Sequence, residues 1–300
     1  MADFRGSEAV KGLLAYRRRP PAEPSTREID FTRRWLARRG VAVSLPTRLL
    51  CIRIAAHAAP STLARTFVVY VVLAVAGAVG YQSLQYLPGV QGREMTAGTS
   101  LYFVYAAFQI GVWRARRVRE RNLAVLVPHR LTGVARPTGV VDGWYGATAA
   151  TTFAGGALLA LSMFVAVPGA RTYAWSWLGL LTLGALCTGV IVRATLREPV
   201  IAEDDESLAA DGLLRREAIQ RTAPAGYSAL VLFDVFGEGR QPHAYTTLLI
   251  GYVALCLALQ CAAAITQRRR KLPPGHYGTV ETAIAPAETA ADVWKPPVRG

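Results

Sequence analysis

Apolar residues along this chain gather into blocks rather than stripes. Runs at about 66–87, 99–113, 146–167, 173–192 and 245–266 approach the ~20 residues that a helix needs to cross a ~30 Å hydrocarbon core. A soluble core helix would pair an apolar stripe with a polar face instead. The clearest block, 66–87, contains no charged residue. A weaker run follows the fourth block. Ala223–Phe236 alone covers only ~21 Å as a helix. Started at Ile219 it reaches ~27 Å, with Arg221 extending to the headgroups and Pro224 in the first turn. The pattern therefore predicts an all-α, polytopic transmembrane bundle of about six spans in three hairpins, the span at 219–236 being the weak one.

Before the first block the pattern changes. Glu28–Arg39 places Phe31, Trp35 and Leu36 among Arg33, Arg34, Arg38 and Arg39, which suits either a helix lying on anionic lipid or a solvated helix. Arg48–Ala58 is a second interfacial candidate, too short and too charged to span. The expected organisation is a basic cytoplasmic arm with interfacial amphipathic helices at 1–65, a transmembrane domain at 66–266, and a Pro- and Ala-rich disordered tail at 267–300. No secretory signal opens the chain, because Arg17-Arg18-Arg19 leads into Pro20-Pro21 rather than an apolar run. The first span is then the uncleaved targeting signal.

Charge sets the orientation. The net charge of +14 on 300 residues would point to nucleic acid in a soluble protein, but no nucleic-acid-binding motif accompanies it. With six spans, the three short outer loops hold only Arg93, Arg171 and Arg240 of the 34 basic residues. Without the sixth crossing, Arg268-Arg269-Arg270-Lys271 would lie outside, directly after a span, against the positive-inside rule. Both termini are thus expected in the cytoplasm, at a plasma (inner) membrane. The preference for Arg over Lys fits a GC-rich, bacterial genome. Cys51, Cys187, Cys256 and Cys261 form no CxxC pair, and none falls in an outer loop, so no disulfide framework is expected.

Little in the sequence carries chemistry. No HExxH, GxSxG, Walker or Rossmann pattern appears, and His57, His129, His243 and His276 fall in four separate segments. No catalytic residue, cofactor or metal is expected. Asp234, in Leu230–Phe236, is the ionisable group within a span and so the candidate functional residue. In the third span Gly146, Ala150 and Ala154 recur at spacing four, as do Ala147, Thr151 and Gly155, and then Thr152, Gly156 and Ala160. Such stripes allow close helix packing, either inside one subunit or in a homo-oligomer. Glu203–Glu206 followed by Asp211, Arg215 and Arg216 predicts a cytoplasmic helix whose charges could grip a partner. The chain is expected to be a non-enzymatic, permease-like subunit or accessory of a transport or envelope assembly, docking a cytoplasmic ATPase or another protein subunit. The alternatives are a membrane scaffold that recruits cytoplasmic partners and, behind it, an intramembrane enzyme.

Overall fold

A computed structural model describes residues 24–58, 98–124, 140–238 and 241–279, with 72, 75–81, 83 and 86. The fold is mostly helical. α1 spans Thr26–Arg38 and α2 Arg48–Ala58; α3 spans Thr99–Ala124. α4 runs Gly143–Ala166 with a π turn at Thr151–Gly155, and α5 spans Arg171–Leu196. α6 spans Asp205–Gln220 and α7 Thr246–Arg269; two-residue strands β1 (Leu45–Pro46) and β2 (Gly278–Thr279) pair antiparallel.

Three helical stretches, Gly143–Ala166, Pro168–Leu196 and His243–Arg269, are long and apolar enough to cross a membrane. The first, at 24 residues, is about 36 Å long. Their outward faces are apolar, with Leu158 69% and Val165 76% exposed, and Leu186 and Leu248 similarly placed. Large aliphatic side chains left outside on such helices are what lipid contact requires and water opposes. The inward faces meet in an aromatic core of Tyr102, Tyr173, Trp177, Tyr227 and Tyr252 with Met163, Leu180, Leu181 and Leu249. The predicted span at 99–113 forms the first part of α3, which continues into the Arg114–Arg121 stretch. The predicted span at 66–87 lies largely outside the described residues, although 75–81 are helical.

The segment at 219–236 departs from expectation. Ile219 belongs to the end of α6, and the chain then turns through 221–224, with Ala223 at φ 37°. Proline disfavours the α conformation in the residue before it, and Pro224 sets that limit on Ala223. Helix resumes as short pieces, Ala225–Ala229 and Val231–Phe233, followed by a π turn at Asp234–Glu238. A continuous helix from Ile219 is therefore corrected to a broken one.

The amino-terminal helices pack their apolar faces on protein. Glu28 accepts from the Ser25 backbone N–H at 2.8 Å and its hydroxyl at 2.9 Å, fixing the start of α1. Gly40, at φ +85°, takes the left-handed conformation that ends it. Trp35 and Leu36 of α1 and Leu50 and Ile54 of α2 bury against Leu213 and Leu214 of α6. The same cluster holds Leu272 and Tyr277, and β2 pairs with β1, so residues 270–279 are ordered rather than part of a disordered tail. An amphipathic face buries equally well in lipid or in protein, and here α6 and the tail supply the protein. The result is a compact module of α1, α2, α6 and 270–279 at one end of the bundle.

Candidate functional site

Asp234 begins the π turn at the end of the bundle opposite this module, and it is 0% exposed. Tyr173, in the first turn of α5, donates its hydroxyl to Oδ2 at 3.1 Å. The backbone N–H of Gly98, just before α3, donates to Oδ1 at 3.3 Å. One residue thus ties three elements together. Tyr102, one turn into α3, lies within electrostatic reach of the same carboxyl group. Its hydroxyl accepts from Trp177 Nε1 at 3.1 Å, and Tyr102, Tyr173 and Trp177 are all buried. Tyr102 is turned fully inward.

Toward the module end a second set of polar groups closes over the break at 221–224. Gln109 donates to the Thr222 carbonyl and accepts from the Tyr227 hydroxyl at 3.1 Å. Tyr105 donates to the Ala223 carbonyl at 2.8 Å, and the Tyr145 and Thr222 hydroxyls are 2.7 Å apart. A helix break leaves carbonyls that neighbours must satisfy, and α3 does so here. The π turn in α4 is served likewise, by the Tyr252 hydroxyl donating to Thr152 O at 2.6 Å. A π turn begins at Asp234 and another lies within α4, and such turns recur at functional sites, which makes the buried Asp234 the functional candidate. Chemically, this interior can hold a carboxyl group away from water and offer hydroxyl donors to whatever exchanges with it.

The small-residue stripes of α4 separate by role. Thr152, Gly156 and Ala160 are buried, and a Cβ at Gly156 would come within 2.7 Å of the Tyr252 hydroxyl and 2.8 Å of Leu181. Thr151 and Gly155 are half-buried. Ala150 and Ala154 are exposed, and nothing lies within 4 Å of a Cβ at Gly146.

The docking candidates are internal. Asp211 is fully buried and accepts from Arg215 Nε at 2.7 Å, while Arg53 of α2 pairs with its other oxygen. Arg215 also donates to the carbonyls of Thr195, Glu198 and Pro199 at 2.7–3.0 Å, closing the end of α5. Arg216 is half-buried near Arg270 and Asp142. As a partner surface, Asp211 and Arg215 are corrected to a clamp between α2, α5 and α6. The acidic run ahead of them opens α6, with Asp204 accepting from the Ser207 N–H at 2.7 Å. Sequence reasoning missed the Tyr173–Tyr102–Trp177 shell, because only the fold brings α3 and α5 to Asp234.

No family model, curated protein or solved structure matches the chain, so the site itself carries the functional reading.

Proposed function

We propose that the chain is a six-crossing inner-membrane protein with cytoplasmic termini, acting as the permease-like subunit of a transport assembly, with Asp234 as its proton- or solute-handling group. The observation that carries this is the wholly buried Asp234 carboxyl in its tyrosine shell. Enclosing an ionisable group among apolar helices costs several kcal/mol, more than a packing role needs.

Parity supports six crossings. α1, α6 and residues 270–279 pack together, so the chain returns to one side at each. α4 leaves that side, where Asp142 meets Arg270 and Tyr145 meets Thr222, and α5 returns to it at the Arg215 clamp. α3 begins beside Asp234 and brings Arg116 back toward His57 of α2, which fits the outward crossing that the sequence pattern predicts ahead of α3. The broken segment after α6 goes out and α7 comes back. Positive-inside bias puts the arginine-rich module in the cytoplasm.

A partner subunit then meets the module where it is open. Arg33 and Arg34 on the exposed face of α1 line a cleft of about 600 Å³ with Asp30, Ala37, Ala42 and Val43. Mild detergent extraction should bring down a nucleotide-hydrolysing subunit, lost on Arg33→Glu with Arg34→Glu. Asp234→Asn should leave that complex intact and cut its ATP hydrolysis several-fold. Recovery of the chain with no such subunit, or full hydrolysis with Asp234→Asn, would overturn the reading.

A further inference from the structure

β2 ends at Thr279, heading for the cleft on α1. It pairs antiparallel with β1, with Pro46 opposite Gly278 and Leu45 opposite Thr279. The Ser44 N–H donates to Thr279 O at 2.9 Å, so the pairing holds to the last residue of β2. Continued in this sense, the residues after Thr279 run beside 44, 43 and 42. Ala42 and Val43 line the cleft of about 600 Å³, together with Asp30, Arg33, Arg34 and Ala37 of α1.

The cleft is basic, with apolar side chains beside its charges. Arg33 stands 3.9 Å from Asp30, both side chains half exposed, and Arg34 Nε donates to the Asp30 carbonyl at 3.2 Å. An exposed pair of this kind is weak and yields readily to a better partner. With Asp30 counted, the exposed side of α1 still sets Arg27, Arg33, Arg34 and Arg38 against two acids, and the other, Glu28, is engaged by Ser25.

The chain beyond Thr279 complements this surface. Between 280 and 294 it carries Glu281, Glu288 and Asp292 with no lysine or arginine, and Val280 and Ile284 add apolar side chains. Residues 280–288 span about 30 Å when extended, whereas Asp30 to Ala37 covers about 10 Å of helix. The amino-terminal arm also leads to α1, but its Arg17-Arg18-Arg19 would bring like charge to the cleft.

We propose that residues 280–288 dock in this cleft as a continuation of β2, with Glu281 and Glu288 presenting carboxylates to Arg33 and Arg34. A cytoplasmic subunit using the same cleft must then displace the tail, which makes the contact a regulator of docking. That consequence rests on the partner reading above; the contact itself does not.

The test uses the full chain in detergent without any partner, with Cys261→Ser removing the exposed thiol. Ala42→Cys is combined in turn with Thr282→Cys and with Val298→Cys, and disulfide formed on mild oxidation is measured by intact mass. A disulfide needs Cα atoms within about 7 Å, so the yield within one chain should be about five-fold higher with Thr282→Cys than with Val298→Cys. Arg33→Glu with Arg34→Glu should cut that yield about five-fold, and adding Glu281→Arg with Glu288→Arg should restore it. Restoration separates lost charge pairing from lost structure. Equal yields at the two tail positions, no effect of the arginine reversal, no recovery with the second reversal, or a disulfide formed only between two chains would each overturn the proposal. Failure here leaves the partner reading standing, and absence of a nucleotide-hydrolysing subunit leaves this contact standing.

Discussion

The carboxyl group of Asp234 accepts from donors in elements far apart in the chain, Tyr173 and Gly98 among them. Asp234→Asn keeps an oxygen for one of these donors, and we expect it to cost only about 1 kcal/mol of stability while removing the titratable group. Tyr173→Phe leaves the carboxyl short of a donor inside the bundle and should cost about 1–3 kcal/mol. Thermal unfolding in detergent checks the order; Asp234→Asn as the more destabilising variant would contradict it. His57 gives a pH signature. Its pKa is depressed on folding by burial and by Arg116, Arg221 and Arg53, with Glu217 facing it from α6. Below about pH 6.5 the unfolded chain takes up a proton at His57 that the folded chain refuses, so stability present above that pH declines as pH falls, by up to about 1.4 kcal/mol per unit. In detergent, His57→Gln should flatten the melting midpoint between about pH 7.5 and 5.5. An unchanged slope would mean that the ring titrates freely. Asp234 was legible as a lone acid in an apolar run. His57 was not, since nothing local in Arg48–Ala58 foretells that α3 and α6 will close over it with their own charges.

Among helices, the sequence pattern reports which contacts are possible more readily than which are made. Three stripes of small residues along α4 share one spacing, yet only that of Thr152, Gly156 and Ala160 faces the core. The choice depends on where Tyr252 of α7 and Leu181 of α5 arrive, which is tertiary information. The two glycines should respond oppositely to a methyl group. Gly156→Ala forces Tyr252 and Leu181 apart and should cost about 1–3 kcal/mol. Gly146→Ala meets open space and should gain up to about 1 kcal/mol from helix propensity. Melting midpoints of the two variants test this, and equal shifts would mean that α4 packs by another face. The same distinction explains α6. The sequence offers Asp211 and Arg215 as charges for a partner, but once Arg53 covers them they close the end of α5.

The amino-terminal helices, the loop helix α6 and residues 270–279 share one apolar cluster, a constraint that no local pattern could announce. It links the amino-terminal helices to residues 267–279: Leu272 N–H donates to Arg39 O at 3.0 Å, Arg39 donates to the Gln267 carbonyl at 2.6 Å, and β1 pairs with β2. Segments joined in this way must lie on the same side of any membrane the bundle crosses, so the number of crossings between them is even. Alkaline phosphatase, active only outside the cytoplasm, reads the outcome directly. A fusion inserted after Gly237 should be active, because the six-crossing proposal has the broken segment cross before it. The second fusion belongs at Gly300 and not after Lys271, where it would remove Leu272 and Tyr277 from the cluster and let the tail come loose. At Gly300 it should be inactive. To tie the result to packing rather than to arginine content alone, Tyr277→Ala should lower the melting midpoint, by about 3 kcal/mol of core loss, without altering either fusion's activity. Activity at both positions would break the parity on which six crossings rest, and inactivity at both would mean that 225–238 turns back without crossing.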